Sequence, residues 1–311
     1  MEPQQTIKKT FRLTGPGLHT GRTVTVTVIP APENFGIAFR RTDRTNIITQ
    51  PAEASRVGET SRGTTLGAGR QTVATIEHLM SALHGMGIDN ALIELDGGEI
   101  PILDGSARPW LLQLTRVGVV QQHEPRKVAT IAQPLHFDYA PTGSSFDITP
   151  SDHFSVHCTI DFPKSVIGRQ EADLASMADY PAAIAPCRTF VFLHEIEPLL
   201  HLNLIKGGSL DNALVFVNKE LSPRQLKRLA KTFNKDINHF RVHDGVLNTT
   251  DPYFPNEPAR HKLLDFVGDI RLVGLPINAH FDIYKPGHKA NNAFARFLSD
   301  KIITNIQSKQ S

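Results

Sequence analysis

Between Thr23 and Val28 the chain alternates threonine and valine without a break. That period of two predicts a strand with one buried and one polar face. GPGLHTG, Gly15 to Gly21, supplies the turn before it. Gly36–Arg41, Ala91–Asp96, Phe154–Phe162, Ala213–Asn218 and Asn278–Tyr284 predict further strands. From Val73 to Met86 the period changes: Val73, Ile76, Leu79, Met80 and Leu83 fall on one face of a helix. A second helix is predicted to start at Asn256, a capping residue, with Pro258 in its first turn, and to run to about Ile270. Two polar stretches interrupt this order. Gln121–Arg126 is the weakest in organisation and places a domain boundary, dividing the chain into 1–122, 127–300 and a tail, 301–311. Lys219–Asp251 predicts a short helix and a long turn, inserted in the second half.

The two halves look related. Each has a helix carrying a histidine with a glycine seven residues on, His78 with Gly85 and His261 with Gly268. Each continues into a strand, a glycine turn and a short helix, with Trp110 and Leu111 in one half and Phe294 and Phe297 in the other. A duplicated helix–strand–helix unit accounts for this; chance spacing is the alternative.

Composition narrows the class. At 311 residues and 40% apolar content the chain can bury a sizeable core. A formal charge of +2 argues against a dedicated nucleic-acid binder. Two cysteines, Cys158 and Cys187, argue against a disulfide framework and for a reducing compartment. The start, MEPQQTIKKTF, has no apolar core of the signal-peptide kind, and no run approaches the roughly 18 apolar residues that would span a bilayer. These features predict a cytoplasmic protein. The 14 histidines are a rich supply of neutral nitrogen ligands.

The second helix concentrates candidate chemistry. With His261 at zero on a wheel of about 100° per residue, Asp265 falls near 40°, Asp269 near 80° and Lys262 near 100°. Leu263, Leu264, Phe266, Val267 and Ile270 occupy the opposite arc. His261 and Asp265, one turn apart, can share an ion, and Gly268 beside them leaves room for close approach. Around His78 the wheel carries Ala74, Thr75, Ser81, Ala82 and Gly85, all small. His78, His261 and Asp265 would give three protein ligands and leave an open position for water, the catalytic zinc arrangement. Glu77, beside His78, suits the general base, and His288 after Gly287 can stand at the same mouth. Alone, H-x-x-x-D is weak and reads as a surface pair or a cap, and the chain lacks H-E-x-x-H. Two rivals stay open here. One is a phosphate-handling enzyme using GPGLHTG, without a G-x-x-x-x-G-K-[ST] run. The other is a binding module with a structural zinc closed by four protein ligands.

The same residues lie in eight motifs in order: GPGLHTG (15–21), PAPENFGIAFRRTD (30–43), TIEHLMSALHGMGIDNALIEL (75–95), EIPILDGSA (99–107), CRTFVF (187–192), IKGGSLDNALVF (205–216), PARHKLLDFVGD (258–269) and YKPGHKANN (284–292). On these, nearly end to end, the chain resembles the UDP-3-O-acyl-N-acetylglucosamine deacetylases of lipid A synthesis. The resemblance implies zinc on His78, His261 and Asp265, with Fe2+ allowed by the same ligand types. It implies Glu77 as general base, His288 as a second acid/base or electrostatic group, and Asp269 as the carboxylate that orients it. Thr189 would help hold the oxyanion, Lys262 would lie near the UDP phosphates, with Arg260, Lys285 and Lys289 as further candidates, and Phe190 would touch substrate. The implied fold is α+β: two related domains, each a sheet carrying two helices, with the helices sandwiched between the sheets. An insert near 188–212 would build an apolar passage for the acyl chain, using Phe190, Phe192, Ile196, Leu199, Leu200 and Leu204. The implied partner is the UDP-linked acylated amino sugar, with no nucleic acid and with transient contact at the inner membrane surface left open; oligomeric state has no signature. The long Lys219–Asp251 segment resembles versions fused to a C-terminal hydroxyacyl-carrier-protein dehydratase, which is absent from these 311 residues.

Overall fold

The computed structural model describes residues 2–196, 206–248 and 251–308. The chain opens with β1 (Pro3–Ile7) and β2 (Phe11–Pro16), and the Thr–Val alternation becomes β3 (Thr23–Pro30). Val24, Val26 and Val28 are buried and the threonines between them are not. With β4 (Ile37–Arg41), β5 (Thr49–Pro51) and β6 (Ala91–Leu95) these form a five-stranded sheet ordered β2–β3–β6–β4–β5. Helix α1 (Glu77–Gly85) precedes β6 and α2 (Arg108–Val117) follows it.

Helix α1 begins four residues later than the apolar period predicts. Val73 and Ala74 instead bridge to Leu66 and Glu99, and Thr75 takes a left-handed φ of 61°. Val73, in a bridge, and Ile76, at the N-cap position, are buried ahead of the helix, so burial there mimics helical period. The polar run Gln121–Arg126 is also more ordered than expected. Most of it lies in β7 (Val119–Pro125), paired antiparallel with β1. This strand is exposed along most of its length, so its polarity reflects solvent rather than loose structure.

The second half repeats the plan. β8 (Ala129–Thr130), β9 (Leu135–Tyr139), β10 (Ser144–Pro150), β11 (Phe154–Phe162) and β12 (Gly168–Leu174) come first. An insert follows, with β13 (Phe190–Phe192), β14 (Leu214–Phe216), α3 (Pro223–Thr232), β15 (Arg241–His243) and β16 (Val246–Asn248). Its strands make a separate sheet, β13–β14–β16–β15. Ser222 and Gln225 form a capping box on α3. Then come α4 (Glu257–Ile270), β17 (Ile277–Tyr284) and α5 (His288–Ser308). The second sheet is ordered β12–β11–β17–β10–β9, with β8 beside β17.

The duplication is explicit in the pairing. In each sheet the strand between the two helices, β6 or β17, takes the central place. Each has a long parallel neighbour, β4 or β11, and an antiparallel neighbour, β3 or β10; β17 pairs in addition with the two-residue β8. The outer pairs, β2–β3 and β4–β5 in one sheet, β9–β10 and β11–β12 in the other, are all antiparallel. The fold is thus mixed α+β with a repeated strand–helix–strand–helix plan.

Helices α1 and α4 are the inner layer. Eight of the nine residues of α1 and twelve of the fourteen of α4 are buried, so neither has a solvent stripe. They cross where α4 has no side chain: a Cβ on Gly268 would press into the Glu77 carbonyl and stand 3.1 Å from the Ser81 amide nitrogen. Ser81 Oγ donates to the Leu264 carbonyl at 2.8 Å, and His84 Nδ1 lies 2.9 Å from that of Val267. Gly268→Ala is expected to push the helices apart, lowering stability by about 1–3 kcal/mol and weakening metal binding with it. Thermal unfolding and metal titration of the variant check this; a variant with wild-type melting and affinity would show that the crossing has slack.

Candidate metal centre

Helix α1 presents Glu77 and His78 in its first turn, while α4 presents His261 and Asp265 one turn apart, as i, i+4 spacing dictates. The close crossing brings the two sets together. One ligand atom from each of His78, His261 and Asp265 lies within 4.8 Å of the others. Asp265 Oδ1 stands 3.4 Å from His261 Nε2 and 3.6 Å from His78 Nε2. The two imidazoles meet edge to face, their centroids 5.1 Å apart. All three side chains are buried.

The donor set fits a divalent cation. Asp265 Oδ1 is buried without a hydrogen-bond partner among the described residues, a cost that a bound cation would offset. His261 Nδ1 lies 3.0 Å from the Cys187 carbonyl, so this nitrogen carries the proton and leaves the Nε2 lone pair for an ion. Burial pushes the His261 pKa down to about 3, which keeps the imidazole neutral, as a ligand must be. Burial alone would raise the Asp265 carboxyl, but the positive groups around it, Lys262 Nζ at 2.8 Å among them, hold it well below the usual range. Two imidazoles and a carboxylate are a donor set of the kind that holds a catalytic divalent cation.

A cavity of about 510 Å³ opens over this cluster. Glu77, Thr189, Phe190, Lys262 and His288, all marked in the sequence, line it with the three candidate ligands. Glu77 Oε2 accepts the Thr64 amide N–H at 2.9 Å, and burial raises its pKa against the opposing charge of His288. His288, first residue of α5, has Nδ1 3.1 Å from Asp269 Oδ2 and Nε2 3.7 Å from Asp265 Oδ2. Burial disfavours its charge, yet Asp265, Asp269 and Glu77 outweigh burial and hold its pKa up at about 9. Asp269 is fully buried behind His288. Thr189 is fixed by its backbone: its N–H donates to the Gly105 carbonyl at 2.8 Å, and its carbonyl accepts the Leu214 N–H at 2.8 Å. EIPILDGSA, CRTFVF and the DNALVF end of the sixth motif meet there.

One wall is apolar, made by Phe190, Val191, Ile196, Val215 and Phe233. Phe192 belongs instead to the core, against Phe162 and Phe216. Leu199, Leu200 and Leu204 lie outside the described residues. Of the expected phosphate contacts, only Lys262 faces the cavity; its Nζ is also 5.5 Å from the Phe190 ring centre. Arg260 stacks on Phe254 and bonds Asn256 and the Ala183 carbonyl. Lys285 pairs with Asp161 at 3.2 Å, and Lys289 is exposed. His19, given no role from the sequence, lines the cavity with Nε2 buried and unpartnered among the described residues.

Comparison with known proteins agrees with this geometry. Residues 4–235 and 240–300 match the family described as LpxC: UDP-3-O-acyl N-acetylglycosamine deacetylase. The chain belongs to the UDP-3-O-acyl-N-acetylglycosamine deacetylase family. It is 42% identical to the bifunctional enzyme LpxC/FabZ of Porphyromonas gingivalis, over 98% of this chain and 66% of that protein. It is 40% identical to the UDP-3-O-acyl-N-acetylglucosamine deacetylase of Myxococcus xanthus, over 94% of this chain and 85% of that protein. For the deacetylase of Nitratidesulfovibrio vulgaris the figures are 38%, 96% and 88%. The chain spans 65–66% of the length of the bifunctional relatives it matches. Deacetylases of this family are metalloenzymes, and the buried His/His/Asp cluster is where this member can hold its ion. No helix among the described residues is long and apolar enough to cross a membrane.

Proposed function

We propose that the chain hydrolyses the acetamide of a UDP-linked 3-O-acyl-N-acetylglucosamine, releasing acetate and a free amine, in the committed step of lipid A synthesis in the cytoplasm. The observation that carries this is the bare, buried Asp265 Oδ1 between two imidazoles, at the floor of a cavity that also holds a carboxylate and a cationic imidazole. His78, His261 and Asp265 would hold Zn2+, which when bound lowers the pKa of a water and polarises the amide carbonyl. Fe2+ suits the same donors.

The chain's own residues do the rest. Glu77, made more basic by burial, takes the proton of the attacking water. The Thr189 hydroxyl donates to the oxygen on which negative charge develops. His288, held cationic, stabilises that charge and delivers a proton to the departing amine. Asp269 accepts from its Nδ1 and fixes the ring. Lys262 supplies positive charge for the diphosphate, Phe190 contacts the sugar, and the apolar wall from Phe190 to Phe233 receives the acyl chain. Purified chain given UDP-3-O-acyl-N-acetylglucosamine is expected to release one acetate per amine formed. A chelator should stop the release and added Zn2+ restore it. Metal-loaded protein that releases no acetate, or turnover indifferent to the chelator, would sink this reading.

A further inference from the structure

Thr64 lies in a polar loop, ETSRGTT, 13 residues before Glu77 and 205 before Asp269. It is fully buried. Its backbone N–H donates to Glu77 Oε2 at 2.9 Å, and its hydroxyl donates to Asp269 Oδ1 at 2.5 Å. The same oxygen accepts from Asn292 Nδ2 at 3.1 Å and lies 3.4 Å from His288 Nδ1. One residue thus touches both sides of the cavity: the carboxylate on α1 and the Asp269–His288 pair carried by α4 and α5.

The hydrogen bonds have an enforced direction. Asn292 Nδ2 also donates to the His288 carbonyl at 2.8 Å, which sets the amide's orientation, and Asp269 is an acceptor, so the threonine oxygen accepts from Nδ2 and gives its own proton to Asp269. Asn291 Nδ2 donates to the other Asp269 oxygen, Oδ2, at 3.0 Å, the oxygen that also faces His288. Asp269 is therefore held from two sides, and its plane is set before His288 meets it. On the Glu77 side the loop is equally close: a Cβ on Gly63 would stand 2.9 Å from Glu77 Oε1. The loop backbone fits around this carboxylate and leaves no space for a side chain at Gly63.

We propose that Thr64 is a positioning residue of the hydrolytic site. Its hydroxyl fixes Asp269, and through Asp269 the His288 ring, while its amide fixes the Glu77 carboxylate. Base and cationic imidazole are thereby held in one frame. This rests on the deacetylase reading for the roles of Glu77 and His288. Asn292 completes the frame as the donor that turns the threonine proton toward Asp269.

Thr64→Val keeps shape, burial and the amide N–H while removing the hydroxyl; Thr64→Ser keeps the hydroxyl. Metal-loaded Thr64→Val is expected to lose about 10- to 100-fold in kcat, the effect of removing one oriented charge-assisted hydrogen bond. KM, metal content and melting temperature should change little. Thr64→Ser should recover most of the rate. Added to Asp269→Asn, Thr64→Val should cost almost nothing further, because the hydroxyl acts through Asp269. Ring 15N resonances of His288 should shift in Thr64→Val without substrate. Thr64→Val within twofold of wild-type kcat, losses that add fully in the double variant, or unmoved His288 resonances would each overturn the proposal. A wild-type chain with no turnover would overturn the deacetylase reading instead, and this role with it.

Discussion

Asp265→Ala is expected to abolish tight metal binding and acetate release together, and His78→Ala to do the same. Each variant leaves two protein ligands. Removing an outer partner of a metal ligand typically costs 10- to 100-fold in affinity, so losing a direct ligand should exceed that. The lost charge stabilisation amounts to several kcal/mol, about three decades of rate or more. Asp265 has the wider effect, since its carboxylate also meets Lys262 at 2.8 Å and faces His288 at 3.7 Å. Asp265→Asn separates the two consequences: it keeps shape and hydrogen bonding but offers a neutral amide to the ion. His153→Ala, at an exposed histidine outside the cluster, should change neither property. Metal content after dialysis, a competition titration and acetate release read all four variants. Full retention of one metal and wild-type turnover in Asp265→Ala or His78→Ala would remove that residue from the ligand set.

Much of this centre could be read from the chain because two of its ligands are neighbours on one helix. Pro258 and the apolar arc from Leu263 to Ile270 located α4, and i, i+4 spacing put His261 and Asp265 together; Asn256 stands at the N-cap position but makes no capping bond, its side chain meeting Arg260 and the Glu171 carbonyl instead. The partner helix was also visible, although Val73 and Ile76 extended it by a turn; burial in a bridged approach produces the same spacing as burial in a helix. The duplication emerged from His78/Gly85 and His261/Gly268, and the identical pairing of the two sheets explains why those offsets agree. The roles of Thr189, Lys262 and Phe190 came only through family resemblance, since no local pattern marks a cavity wall.

Other features had a signal that was passed over. VHDGVL carries the Asp-Gly signature of a two-residue hairpin, and Asp244 and Gly245 indeed take φ of 47° and 75°. The short helix expected in Lys219–Asp251 is α3, and the hairpin β15–β16 occupies part of the expected long turn. Asn291 and Asn292 follow His288 by three and four residues, one helical turn on, which makes them its natural neighbours. Thr64 had no signal at all. It stands 205 positions from Asp269, and chain closure alone makes the contact. Side chains that position others depend on tertiary distance, whereas ligands on one helix depend on spacing.

Glu77→Gln is the sharper test of mechanism, because it should spare everything that the ligand variants destroy. The amide keeps the length of the side chain and can still accept the Thr64 N–H, so α1 should start where it does now. Metal content and melting temperature should stay near wild type. Turnover should fall by about 10² to 10⁴, the range for a positioned general base. The buried site gives this carboxylate an advantage over an exposed one: its pKa is raised, so it holds an abstracted proton more firmly. Yet the cationic His288 opposes that rise and limits how far the carboxylate is neutralised at rest. Glu77→Ala should cost as much in rate and more in stability, since it leaves the Thr64 N–H buried without an acceptor, a loss of roughly 1–3 kcal/mol. If Glu77→Gln turned over at the wild-type rate with metal bound, proton abstraction would have to pass to another group. His288, held cationic, could take that part only after losing its own proton, so such a variant would gain rate as the pH rises.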